Sequence, residues 1–136
     1  MSLAQLAAIT GTGLGIFLVI DLLWLGVVAK PVYDHYLGDF LAQNPKWPAA
    51  LIFYSLFVVG VVYFVVVPAL NEGSLMQAGL NGALLGGLAY ATYELTNYAV
   101  LKDWPLGIVF IDIIWGGVLT AAVASLTYIV ADKFIL

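Results

Sequence analysis

Cysteine and arginine are absent, histidine occurs once, and only 9% of the 136 residues are charged. Without Cys there are no disulfides, no thiolate metal sites and no thiol nucleophiles. A single His, His35, leaves no His-x-x-x-His spacing for a metal. Eight acids against four Lys give a formal net charge of -4. That balance offers no basic patch and argues against a nucleic-acid partner. Soluble domains carry about 25% charged residues, so this chain cannot clothe itself in a polar surface.

What fills the sequence instead is apolar, at 64% of residues. A bilayer core about 30 Å thick is crossed by ~20 apolar residues in a helix. Four runs reach that length, at about 3–29, 48–70, 75–101 and 105–131. Pro48 and Pro105 open the second and fourth runs, where a missing N–H costs nothing. Lys30-Pro31 ends the first, and Asn71-Glu72-Gly73 follows the second. Residues 1–20 lack a basic leading segment, and their apolar run continues through Asp21 and Trp24 to Ala29. It is longer than a signal-peptide core and reads as a retained first helix. The expected fold is all-α: one integral membrane domain over 1–136, a bundle of four transmembrane helices.

One connection is long. Within residues 30–47, Val32, Tyr33, Tyr36, Leu37, Phe40 and Leu41 recur at helical spacing, and Asp34, His35, Gly38 and Asp39 fall opposite. This pattern predicts a short amphipathic helix at the membrane surface over 32–41, with Tyr36, Leu37 and Phe40 turned to the bilayer or bundle. His35 reads as solvated on its polar face. Lys30, Lys46 and Lys102 lie on one side of the membrane and Lys133 on the other. The positive-inside rule then places both termini outside and 30–47 in the cytoplasm. Tyr33, Tyr36, Trp47 and Trp104 read as an aromatic belt on that cytoplasmic side.

Three carboxylates interrupt the apolar runs, with no Lys inside any run to pair with them: Asp21, Glu94 and Asp112. A charge inside the bilayer is costly, so such acids are functional candidates. Asp21 lies eight residues before the end of its run, Glu94 seven before, and Asp112 seven after the start of its own. At ~1.5 Å per residue, all three fall ~10–12 Å from the same membrane face. They are predicted to face one another or a shared cavity. Helical spacing adds companions: Trp24 one turn from Asp21, Tyr90 and Asn97 beside Glu94, and Trp115 beside Asp112. Tyr93 and Thr96 add hydroxyls nearby. The candidate substrate- or cation-binding set is therefore Asp21, Trp24, Tyr90, Glu94, Asn97, Asp112 and Trp115.

Other patterns point to packing. Gly11-Thr12-Gly13-Leu14-Gly15 has the look of a dinucleotide loop, but it lies in an apolar helix with no strand before it, and nothing asks for a cofactor. Gly11/Gly15 and Gly82/Gly86 have small-xxx-small spacing, which predicts close approach of the first and third runs, or dimerisation through one of them. Asp21-Leu-Leu-Trp24-Leu-Gly26-Val27 is echoed by Asp112-Ile-Ile-Trp115-Gly-Gly117-Val118. The two helices run antiparallel, so the echo reads as shared local chemistry and not as a duplication.

Several blocks carry a resemblance. Asp-Leu-Leu-Trp-Leu-Gly-Val-Val-Ala-Lys at 21–30, Pro-Lys-Trp-Pro-Ala-Ala at 45–50, Tyr-Ala-Thr-Tyr-Glu-Leu-Thr-Asn at 90–97 and Asp-Ile-Ile-Trp-Gly at 112–116 resemble the domain-of-unknown-function 2177 family of small bacterial membrane proteins. The resemblance spans nearly the whole chain. It implies a four-helix protein of the bacterial inner (cytoplasmic) membrane, and it implies no activity. Three readings of the acids stay open. They hold a cation or proton-coupled substrate in a small binding or transport protein, they act as general acid and base in a membrane-embedded lipid-modifying enzyme, or they glue helices together in a structural or accessory subunit. The expected partners are membrane lipids and, where a wider cavity is needed, a second copy of the chain.

Overall fold

The computed structural model describes residues 1–42 and 44–136. Every regular element in them is helical. Helix α1 spans Leu3–Val28, α2 Lys30–Leu37, α3 Trp47–Glu72, α4 Leu75–Val100 and α5 Leu106–Ile135. Three of them, α1, α3 and α5, are long and apolar enough to cross a bilayer. The remaining predicted span, α4, is as long as α1, but Gln77, Asn81, Glu94, Asn97 and four glycines dilute its apolar character.

Local chemistry sets the boundaries. Ser2 and Gln5 close a reciprocal cap on α1: Gln5 N–H donates to Ser2 Oγ at 3.1 Å, and Ser2 N–H to Gln5 Oε1 at 2.8 Å. In α3 a wide π turn over Val62–Val66 precedes Pro68. A proline ring strikes the carbonyl four residues back, and widening the turn before it relieves that contact. Gly73, at φ 66°, ends α3 in the left-handed conformation that suits glycine. Ser74 then caps α4 by accepting from Gln77 N–H at 3.1 Å. The second tight reversal, between α4 and α5, places Asp103 at φ 60°, a conformation Asp tolerates better than branched residues.

The core lies between α1, α3 and α5, where Ile9, Phe17, Val58, Val61, Val65, Leu119 and Val123 are buried. The outer faces are leucine, isoleucine and phenylalanine: Leu22, Ile52, Leu56, Phe64, Leu84, Leu88, Phe110 and Ile114 are all exposed. A protein whose surrounding solvent is lipid has no reason to hide them.

The most extensive helix contact is between α4 and α5. It depends on absent side chains. A Cβ on Gly86 would collide with the Gly116 carbonyl and Thr120, and one on Gly82 would stand 2.8 Å from the Thr120 carbonyl. The Gly82/Gly86 pair thus brings α4 onto α5 and not onto α1, which corrects the sequence expectation. A Cβ added to Gly11 or Gly15 would meet nothing within 4 Å. Spacing marks a close approach but does not determine which helix receives it, so the expected pairing of the first run with the third is in error.

The contact pattern is uneven elsewhere. α5 touches both α1 and α4. α3 meets α4 near their shared turn, through Val62–Val66 and beyond, while the opposite half of α3 stands away from α4. The α3–α4 hairpin is closed at its turn and splayed at its other end.

The surface helix forms as α2, followed by a tight turn over Gly38–Phe40. Val32, Tyr33, Tyr36 and Leu37 pack on Trp104, Ile108 and Val109 at the start of α5. Gly107 makes room for Tyr36, since a Cβ there would sit 2.5 Å from the phenol oxygen. Phe40 lies against Trp104 with ring centroids 5.6 Å apart. Asp34, His35, Gly38 and Asp39 are exposed, and Lys30 pairs with Asp34 at 3.3 Å. The predicted amphipathic face is turned to the bundle.

Candidate functional site

The splayed end of the hairpin holds a cavity of about 370 Å³. Asp21 and Leu25 of α1, Tyr33 and Leu37 of α2, Phe53 and Tyr54 of α3, Tyr90, Tyr93 and Glu94 of α4, and Asp112 and Trp115 of α5 line it. A recess walled by Phe53, Ala89, Tyr90, Tyr93 and Asp112 adjoins it. The three acids that sequence depth placed at one level come from three helices onto one cavity. All are buried, Glu94 to 1% exposure.

Each acid has its own hydrogen-bond donor. Trp115 Nε1 donates to Asp21 Oδ1 at 3.3 Å. The Tyr33 hydroxyl donates to Asp112 Oδ1 at 2.5 Å and accepts from Trp24 Nε1 at 3.2 Å. Trp104 Nε1 donates to Glu94 Oε2 at 2.8 Å. Burial, and then the Asp112 carboxyl it bonds, push the Tyr33 phenol well above the ordinary tyrosine range, so it remains a donor. Trp24 and Trp115 stack with centroids 4.1 Å apart and planes 9° from parallel. The π turn over Trp24–Val28 begins at that stacked ring. Glu94 lies within hydrogen-bonding reach of Asp112.

Two features distinguish this cluster from ordinary helix-to-helix bonding. Among the described residues no Lys pairs with any of the three acids. Glu94 Oε1 is buried without a partner. Nor do the acids close on a point: among the described residues no group of three His, Asp or Glu side chains is near enough to hold one metal ion.

Of the seven candidates, Asp21, Tyr90, Glu94, Asp112 and Trp115 line the cavity, and Trp24 backs it through its stack. Asn97 is half-buried one turn along α4 and is not among the lining residues. The sequence missed Tyr33 and Trp104 as partners of acids. Both read as interfacial belt residues, yet Trp104 is 8% exposed and points to Glu94. The available signal was the shortness of the 101–105 connection, which forces the chain straight back over the last turns of α4.

Tyr33 ties α2 to the bundle through both of its bonds. Tyr33→Phe is expected to release α2, with faster amide exchange over 30–40 and a stability loss of about 1–2 kcal/mol. Unchanged exchange there would show that the Gly107 and Trp104 contacts hold α2 unaided.

No curated protein and no solved structure matches the chain. A family model described as predicted membrane protein (DUF2177) matches residues 6–129, nearly the full length. An apolar, all-helical chain with three helices fit to cross a bilayer, matched over that length, is a membrane protein and belongs to the DUF2177 family.

Proposed function

We propose that this is a small multi-pass protein of the bacterial inner membrane that binds a proton or a cation at the Asp21–Glu94–Asp112 cavity and serves proton-coupled binding or transport of a small molecule. The observation that carries it is Glu94, a fully buried carboxyl on a cavity wall with Oε1 unpartnered. With Glu94 and Asp112 both ionised, Oε1 has no donor, and a buried polar atom left without one costs ~1–3 kcal/mol, so the pair calls for a proton or a cation. An exchangeable site leaves a place for the proton or cation it releases. Two carboxyls within reach of each other, with no Lys nearby, hold a shared proton or admit a cation in its stead.

In this reading α4 crosses the membrane as a fourth span. Its 26 residues reach ~39 Å. Leu80, Leu84, Leu88 and Leu95 face outward, and its polar side has the cavity to face. The 30–47 segment lies on the cytoplasmic side and both termini outside, so the acids sit near the cytoplasmic face. A second copy alongside would widen the path that so narrow a bundle leaves.

The test needs no ligand. Infrared difference spectra of the purified protein across pH are expected to show buried carboxyls exchanging protons reversibly while the fold persists. Trp104 emission is expected to follow, because its indole bonds Glu94. Glu94→Gln keeps the shape but cannot ionise, and it should lose both signals. A wild-type spectrum with no titrating carboxyl wherever the protein stays folded would leave the acids as structural glue.

A further inference from the structure

The geometry points to a lipophilic organic cation, an ammonium or phosphonium centre on an apolar body, which enters sideways from the bilayer between α3 and α4. This rests on the cation-site reading above and names the class of molecule that the site takes.

The arrangement of the acids offers no three-carboxylate cage for a small hard ion among the described residues. Such ions take ligand oxygens at about 2.0–2.6 Å from one centre. Here three carboxyls are distributed around about 370 Å³, and no three acids close on one ion among the described residues. A volume of that size is at the lower end of small-molecule pockets. Negative charge brought by three helices around such a volume complements a large, diffuse cation.

The walls agree. Tyr33, Phe53, Tyr54, Tyr90, Tyr93 and Trp115 surround the acids. Ring faces attract cations, most strongly where water is excluded, and quaternary ammonium recognition is the best-known use of such walls. No Lys lines the cavity. A phosphate or carboxylate on the guest would meet only buried acids. That disfavours a zwitterionic lipid headgroup, although it carries the same ammonium.

The route follows from the splayed hairpin. The first half of α3 stands away from α4, and the cavity lies in that gap. Its edges are Phe53 and Tyr93, both about half exposed, and the recess beside Ala89 continues the opening along α4. Phe57 and Tyr90, with ring centroids 6.4 Å apart, narrow the gap toward the hairpin turn. A guest arriving there crosses the aromatic side chains of Phe53 and Tyr93 before it meets Asp112 in the recess, which suits a molecule already dissolved in lipid. Glu94 and Asp112 are buried among the residues that line the cavity beyond these side chains.

The test is thermal stability and tryptophan quenching of the purified protein in a neutral detergent. The probes are tetraphenylphosphonium, dodecyltrimethylammonium, dodecylphosphocholine, the neutral triphenylphosphine oxide, potassium and magnesium. The first two are expected to raise the melting temperature by several degrees, by the linkage of ligand to folding. Proton competition should make the half-saturating concentration rise as pH falls. Glu94→Gln and Asp112→Asn should each weaken the effect at least tenfold, and two variants guard against one that folds poorly. Equal stabilisation by the phosphine oxide would overturn the charge requirement. Equal stabilisation by the phosphocholine would assign the site to lipid headgroups and overturn the free cation. Stabilisation by potassium or magnesium alone would overturn the class of guest. Should infrared titration persist while both organic cations fail, the proton site stands and this inference falls. Should titration itself be absent, both fall.

Discussion

Gly86→Ala is expected to be among the most damaging single-methyl changes in the protein, whereas Gly87→Ala, one residue on, is expected to do no harm. A Cβ on Gly86 would collide with the Gly116 carbonyl oxygen and the Thr120 side chain, while one on Gly87 meets nothing within 4 Å. Overpacking a tight interface typically costs 1–3 kcal/mol, and occasionally more. The upper end applies here because the obstacle is backbone. The Gly116 carbonyl cannot retreat without dragging α5 from α4. Alanine also favours helix over glycine by up to ~1 kcal/mol, so Gly87→Ala should be neutral or slightly stabilising. Reversible unfolding in mixed detergent micelles would measure both. Equal stabilities would mean that α4 and α5 do not approach as closely as these glycines allow. Because Glu94 is on α4 and Asp112 on α5, Gly86→Ala should also disturb the cavity and weaken cation binding beyond its effect on folding.

That example shows where sequence information stops. Apolar run length located the helices within a few residues, because the cost of an unpaired backbone group in lipid leaves a spanning segment little else to be. Depth brought Asp21, Glu94 and Asp112 to one level, because the rise of a helix is fixed. Neighbour identity is not a one-dimensional property. Gly82 and Gly86 announced a close contact, and only packing showed that α5 receives it. The same limit hid the crossed pairing of the tryptophans. Trp115 lies one turn from Asp112 along α5, yet its indole bonds Asp21 on α1. Trp104 was obscured for a second reason. An aromatic residue beside Lys102 and Pro105 has the composition of a membrane-interface anchor. Its inward turn follows from a five-residue reversal with Asp103 in the left-handed region, a backbone conformation that composition does not announce.

The Trp104–Glu94 bond allows the most direct measurement of what Glu94 is. Trp104→Phe removes the only N–H donor that Glu94 has among the described residues and leaves Oε2 bare in a buried place. The expected loss is about 2–3 kcal/mol, most of it the penalty for an unsatisfied buried group. Glu94→Leu strands the indole N–H instead and should cost a comparable amount. The double variant removes both partners, so it should lose less than the sum, and the difference is the coupling between them. A bond to an ionised acceptor contributes ~1.5–3 kcal/mol, and one between neutral groups ~0.5–1.5. Repeating the four-protein cycle at several pH values therefore reads the charge on Glu94 in place. A proton-exchanging site predicts a coupling that changes between those two ranges as pH is varied, and that collapses toward the neutral value when Glu94 holds a proton. A coupling that stays constant over the whole range in which the protein is folded would fix Glu94 in one ionisation state. The carboxyl would then be a structural acceptor for Trp104, and proton exchange in the cavity would have to run between Asp21 and Asp112 alone.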